Sequence, residues 1–415
     1  MTLKNPFASE TFAQIWESHF NKGKRAQTFG FIKGLSFFKS NRLSIYTNVG
    51  KNLTKGMSYA LVENEMPQDF KNKTALIYDV PQYFEVNTQA LPEGIKFKKI
   101  KQYPGFLVHQ KNYTDFNDYL KKTFSKSSLQ KLNRYQRRLE MCFDIKEKML
   151  IGAIDKAEYD FVFDHFNQLL IKRFQDKRIT NNNLNPDEWA FYKAVAYPLL
   201  VERKAALHVL YNEDTPISVR LLYFSETIVF DAITVFDIDY SKFHIGKVSI
   251  MKALEWSFKN KYSIFDFSKG YFDYKASWSD LKYDFEYHVY YDSKSLSAAL
   301  KANAITALFQ FKQYLRAKNI HEKLHKATYS LQKKEISPKG AVLVVAPETI
   351  VYKKEDLTAI NLSAPYAFLK KELFDFAFLS STHIKNIHIF KINNQPKDCF
   401  LFKTTKQCLV LEVQN

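Results

Sequence analysis

The sequence predicts a mixed α/β protein of α+β character, in more than one domain. Its 415 residues exceed the ~150 of a typical single domain and suggest two or three. Apolar residues recur at helical spacing through residues 114–202, and the period then shortens to that of strands over 205–236. A glycine-led helix and one further strand follow, so residues 205–267 read strand, strand, strand, loop, glycine, helix, strand. Hydrophobic residues make up 46% and charged residues 25%, which excludes a chain that is mostly without fixed structure.

Residues 1–113 read as a mixed α/β unit. A helix is expected at Glu10–Phe20, then strands at Leu43–Thr47, Ser58–Val62 and Ala75–Val80, punctuated by Pro81, Pro92 and Pro104. Residues 114–335 form the second expected unit. Its first helix spans 114–140, with an interruption at Ser125–Ser128 because serines favour caps over helix interiors. Further helices are expected at Lys156–Phe174 and at Pro186–Glu202, the latter with proline in its first turn. Ala205–Tyr211, Ile217–Phe224 and Ile228–Phe236, separated by NEDTP and SET, make a three-strand antiparallel meander. Beyond Gly246 a helix runs from about Lys247 to Lys261, before a strand at Ser263–Phe267. Residues 336–415 form a small β-rich unit behind the linker signal SPKG at 337–340. Its strands are expected at Ala341–Val345, Ile384–Ile392, Phe400–Thr404 and Leu409–Val413, with one helix around Pro365–Phe376.

Lys plus Arg is 61 against 43 for Asp plus Glu, a net charge of +18 that favours polyanionic partners. The basic residues concentrate in 121–138 and in 301–335, the latter with Lys312, Arg316, Lys318, Lys323 and Lys326; the plain alternative for both is a solvated helix face. No apolar stretch reaches the ~20 residues of a membrane span, and the N-terminus lacks a signal-peptide pattern. With only Cys142, Cys399 and Cys408, a cytoplasmic protein without a disulfide framework is expected. His208, His244 and His288 are dispersed and no HExxH or CxxC spacing occurs, so no metal site is expected.

A glycine at a strand-to-helix turn lets a ligand approach the backbone, and the first helical N–H groups are unpaired at the positive end of the dipole. Such a corner suits a pyrophosphate. Here it comprises Lys242, Phe243, His244, Ile245, Gly246, Lys247 and Ser249; one glycine before a helix is also an ordinary connection. The strand after the helix runs into Phe265-Asp266-Phe267-Ser268-Lys269-Gly270-Tyr271-Phe272-Asp273-Tyr274-Lys275-Ala276-Ser277-Trp278. Asp266, Gly270, Tyr274, Lys275 and Trp278, with Tyr240 and Gly246 upstream, resemble the closing pattern of the GNAT-like acetyltransferases found beside polysaccharide and cellulose biosynthesis proteins, a family related to the FemAB aminoacyl-transferases. Arg134, Arg137 and Arg138 resemble that family's Arg-rich helix. The likeness spans roughly 114–300; the single Gly246 departs from the usual paired glycines, and residues 336–415 lie outside it.

The resemblance implies a GNAT-like acyltransferase fold, with residues 1–113 as a degenerate first copy, and transfer of an acyl group from acetyl-CoA or another acyl-CoA to an amine on a cell-envelope or polysaccharide precursor. Asp231 and Asp237 are then candidate bases, since the attacking amine must be neutral. Tyr271, Tyr274 and Lys275 are candidates for protonating or stabilising the leaving thiolate. Arg134, Arg137, Arg138, Tyr240 and Trp278 are placed on the acceptor side. Two alternatives stand beside this reading: a FemAB-like transferase with aminoacyl-tRNA as donor, and a non-catalytic binding module on the same fold.

Overall fold

The computed structural model describes residues 5–40, 44–62, 67–177, 185–318, 342–345, 350–362 and 364–413. The expected linker at 337–340, with Lys323 and Lys326, lies outside the described residues. The first stretch of chain carries α1 (Glu10–Phe20), β1 (Gln27–Phe29), β2 (Ile32–Lys39), β3 (Tyr46–Asn48), β4 (Ala60–Leu61), β5 (Thr74–Pro81) and β6 (Ile95–His109). The middle continues with α2 (Phe116–Thr123), α3 (Lys126–Cys142), β7 (Ile145–Leu150), α4 (Lys156–Lys177), α5 (Pro186–Val201), β8 (Ala205–Asn212), β9 (Thr215–Phe224) and β10 (Ile228–Phe236). Then come α6 (Ile245–Lys259), β11 (Ile264–Lys269), α7 (Asp273–Trp278), β12 (Leu281–Asp292) and α8 (Leu296–Ala317). The C-terminal part holds β13 (Val342–Val345), β14 (Leu357–Ala359), α9 (Lys370–Ser380), β15 (His388–Ile392), β16 (Cys399–Lys403) and β17 (Cys408–Val413).

Side-chain caps explain where the helices begin. Ser9, Asp115, Ser125, Asn185 and Ser295 each accept a main-chain N–H from the first turn of the helix that follows. Ser125 therefore divides the helix expected over 114–140 into α2 and α3. Among the described residues no helix is long and apolar enough to cross a membrane.

β1 to β12 form one sheet of twelve strands, in the order β1-β2-β3-β5-β12-β6-β11-β10-β9-β8-β7 with β4 paired to β2. Strands from 1–113 and from 114–335 interleave in it, because β12 lies between β5 and β6 and β11 pairs with β6. The described ladders are antiparallel except β3 with β5 and β10 with β11. Pro104 punctuates nothing: it sits inside the 15-residue β6, where its carbonyl accepts the Gly270 N–H and the β12 register shifts. A proline has no N–H to lose at such an irregularity.

Helices cover both faces. α4 and α5 pack Phe163, Phe166, Val195 and Leu199 on Leu207, Val209, Val219 and Leu221. Opposite them α6 packs Ile250, Met251 and Leu254 on Ala206, Leu222, Val229 and Phe265. Burial on both sides is why β8 to β10 read as nearly continuous apolar runs. A second, antiparallel sheet, β13-β17-β16-β15-β14, is backed by α9, whose Leu373, Phe374 and Ala377 also join the cluster under Leu139 of α3 and Ile245 of α6.

Candidate active site

β10 and β11 start as a parallel pair and then part. Their register covers only Ile228–Phe230 against Ile264–Asp266. Beyond Phe230, β10 is bulged between Asp231 and Ile233 and continues on β9 alone, while the end of β11 follows β6 through Lys269 opposite Gly105. A bulge bends its strand and re-aims side chains, so the edge of β10 past Asp231 faces an opening between two strands of one sheet.

The apex of this opening is charged and buried. Arg220 on β9 donates from Nη1 to Asp231 Oδ2 at 2.5 Å and from Nε to Ser249 Oγ at 2.9 Å, with both partners of the ion pair nearly sealed from water. Asp231 Oδ1 is buried without a hydrogen-bond partner among the described residues. Lys275, 5% exposed, donates to the carbonyls of Ser268 and Lys269 at 3.1 and 3.0 Å. Burial pushes its amine down to about 8, with Asp231 and Asp266 opposing the fall. Burial pushes the Tyr274 phenol up to about 12, with Asp231 adding to the rise and Arg220 and Arg173 resisting it. The Asp266 carboxyl is raised to about 6 by burial, although Tyr83, Tyr283 and the Ser268 N–H all donate to it. Ser268 holds φ 61°, a left-handed backbone that a β-strand residue adopts only under constraint.

The sequence-derived candidates divide between this apex, the start of α6 and several positions apart from both. Asp231, Tyr274 and Lys275 meet at the apex, and Ser249 joins them by turning inward to Ser218 and Arg220 instead of lining the glycine corner. At the start of α6, Lys242, His244 and Lys247 are exposed, and the Ile245 and Gly246 N–H groups have no partner among the described residues. His244 holds φ 50° with its ring 4.0 Å from that of Tyr135 on α3; burial, then Lys247, Arg134 and Lys242, hold its imidazole below the usual range. Gly246 is required by a side chain: a Cβ there would lie 2.7 Å from the Phe236 ring, whose face the Arg173 guanidinium covers at 4.3 Å.

Several candidates do not join the apex. Phe243, Ile245 and Tyr240 are sealed into the cluster beneath α9, so Phe243 and Ile245 offer a ligand main chain and no side chain. Asp237 is held in an ion network, with Lys172 at 2.5 Å and Lys370 of α9 at 3.5 Å. Trp278, placed on the acceptor side by resemblance, is 2% exposed; its ring packs edge-on against Phe124 and its carbonyl accepts the Tyr119 hydroxyl. Tyr271 is 61% exposed. Arg138 ties α3 to the Phe378 carbonyl of the C-terminal unit, whereas Arg134 and Arg137 remain exposed. Among the described residues no three His, Cys, Asp or Glu side chains are grouped to hold a metal.

Sequence reasoning passed over Arg220, Lys269, Asp79 and Lys55. Lys269 donates to Asp79 Oδ1 at 2.7 Å and to the Asn52 carbonyl at 2.9 Å, so the first hundred residues contribute directly to the apex. Lys55 is 9% exposed and has no hydrogen-bond or ion-pair partner among the described residues. Burial pushes its amine down to about 7, with Lys269 next in effect. The one trace in the sequence is the glycine after it. Gly56 lies so close to β10 that a Cβ would sit 2.6 Å from the Phe230 ring, and this contact docks the Lys55 loop at the split.

Residues 126–276 match the family model of the acetyltransferase (GNAT) domain. No curated protein matches the chain. Similar solved structures include FemX (11% identity, 68% of this chain and 91% of that chain, TM-score 0.46) and the C-terminal domain of a putative lysylphosphatidylglycerol synthetase from Agrobacterium fabrum (13%, 68% and 87%, TM-score 0.38). A conserved protein of unknown function from Bacteroides thetaiotaomicron is also similar (12%, 69% and 91%, TM-score 0.41). At these values the structural likenesses accompany the family match without adding to it. Residues 126–276 carry a GNAT-type acetyltransferase domain, and the chain is an acyltransferase of mixed α/β fold.

Proposed function

We propose that this acyltransferase works in the cytoplasm, moving an acyl group from an acyl-CoA thioester to an amine on a cell-envelope or polysaccharide precursor, where β10 and β11 part. The observation that supports this most is the opening itself: an unpaired strand edge beyond Asp231, with Arg220, Tyr274 and Lys275 gathered at its apex. The partnerless Ile245 and Gly246 N–H groups, with Lys242, Lys247 and Arg134 around them, suit the diphosphate of such a donor.

In this reading the acceptor arrives as an ammonium and must lose a proton before it attacks. Asp231 Oδ1 takes that proton, directly or through one water, while Arg220 holds the other oxygen. The new N–C bond forms as the C–S bond breaks. Tyr274, protonated at neutral pH, gives its proton to the departing thiolate, and Lys275 stabilises the negative charge as it develops.

The direct test is thermal unfolding with millimolar acetyl-CoA, followed by thiol release with a panel of amines. Stabilisation of the wild type, with Lys275→Met still binding donor but losing turnover by about a hundredfold, supports the reading. A melting temperature indifferent to acetyl-CoA removes it.

A second donor, aminoacyl-tRNA, is favoured by the exposed basic face of α3, which presents Lys131, Arg134 and Arg137. Binding of charged tRNA that weakens steeply with salt would select this donor.

A further inference from the structure

Lys55 is an amine that the fold brings inside and leaves without a hydrogen-bond or ion-pair partner among the described residues. The loop carrying it is anchored on both sides: Thr54 donates to Asp79 Oδ2 at 2.9 Å, and Gly56 rests on the Phe230 ring. Its stem is packed away, yet its nitrogen is not among the sealed polar atoms, so the tip still meets solvent. The Tyr192 ring lies beneath that tip at 5.8 Å. Among the described residues, the nearby carboxylates Asp79 and Asp266 are committed elsewhere. Asp79 gives Oδ1 to Lys269 and Gln102 and Oδ2 to Thr54. Asp266 is held by two tyrosines. Glu188 of α5 makes no ion pair among the described residues and is itself raised by desolvation against the pull of Lys55 and Lys269. A second ammonium, Lys269, stands next to Lys55. An unpaired buried charge is costly unless a counter-charge arrives.

We propose that Lys55, backed by Lys269, anchors an oxyanion subsite that takes a carboxylate or phosphate group of the acyl acceptor. The subsite itself rests on the geometry around Lys55; its assignment to the acceptor rests on the acyl-transfer reading above. It gives the first hundred residues a share in substrate choice: amines that carry an anionic group are selected over neutral or cationic ones. Glu188 is the competing carboxylate at its edge, repelling an incoming anion until it is protonated or turns away.

The test measures anion binding directly on the full chain, by thermal shift and calorimetry, with inorganic phosphate and with acetate at constant ionic strength set by chloride. The wild type is expected to bind one of the two, and which one separates a phosphate-bearing acceptor from a carboxylate-bearing one. Lys55→Met is expected to weaken that binding at least about tenfold, which is about 1.4 kcal/mol. Lys55→Arg should retain it, and Glu188→Gln should strengthen it. If Lys55→Met does not fold, the Arg and Gln variants carry the same decision. No response to either anion in the wild type, an undiminished response in Lys55→Met, or a loss of stability in Glu188→Gln that reveals a Lys55–Glu188 pair overturns the subsite. Acetyl-CoA binding is measured on the same variants. If Lys55→Met loses phosphate but keeps acetyl-CoA, the subsite stands apart from the donor; if it loses both, the acceptor assignment falls. If the wild type binds phosphate and no acyl donor, the acyl-CoA reading fails while the anion subsite remains.

Discussion

Ser268 Oγ donates to the main-chain oxygen of Asp231 across 3.2 Å, and this bond ties β11 to β10 past the end of their ladder. It spans a register that has already lapsed at Phe230 and Asp266. Because Lys275 Nζ hangs on the Ser268 carbonyl, one serine in a left-handed conformation sets both the opening and the position of its ammonium.

Breaking the apex ion pair from one side should cost more than removing it whole. Arg220→Met or Asp231→Ala alone leaves a buried charge and is expected to lose about 3–5 kcal/mol in urea unfolding. The double variant should lose clearly less than the sum. Strict additivity would mean that the two side chains are not coupled.

Gly246 and Phe236 form a second coupled pair. A methyl at 246 needs the ring to move, so Gly246→Ala should lower stability by about 1–3 kcal/mol. Phe236→Leu in the same chain should restore most of it. A Gly246→Ala variant as stable as the wild type would show that the ring already has room.

The lysine at the apex makes stability depend on pH in a defined direction. Lys275 titrates at about 8 in the folded chain against 10.5 ordinarily, so the unfolded chain binds the extra proton between those values. Stability relative to Lys275→Met should therefore rise from about pH 8 to 10.5, by on the order of 3 kcal/mol. Parallel pH profiles of the two proteins would contradict burial of a charged amine.

Asp266 works in the opposite sense. Its carboxyl is raised from 3.8 to about 6, so the folded chain holds the extra proton, and the stability this contributes is complete below about 3.8 and lost as pH climbs through 6. Measured against Asp266→Asn, in which the Tyr83 and Tyr283 hydroxyls turn to accept from the amide, wild-type stability should fall across that window. A difference that stays flat from pH 4 to 7 would place the carboxylate in contact with water.

Much of the site was legible before any coordinates, because its chemistry sits on elements with strong periodicity. Apolar spacing and turn residues located β8, β9 and β10, the helix after Gly246, and β11, to within a few residues. Asp231 was singled out because it lies on one of those strands, and Tyr274 and Lys275 because they match the closing pattern that the chain resembles. β6 and β12 were missed. Pro104 reads as punctuation in a linear sequence, and β12 alternates aromatic and charged residues without a turn signal before it. Trp278 and Tyr240 look like ligand-facing aromatics in a motif, yet a large ring beside a cavity and one filling a core have the same local pattern.

By itself the sequence determined the class of fold and the run of elements from β8 to β11, since periodicity, caps and turn chemistry act over a few residues, and it carried the motif that resembles an acyltransferase. Only the tertiary structure decided which charges share a space. Lys55 lies 220 residues from Lys275 and is indistinguishable from a surface lysine until the sheet interleaves its two halves. Burial and the identity of a neighbour arise from contacts distant in sequence, and these two quantities turn an ordinary side chain into a reactive or binding one.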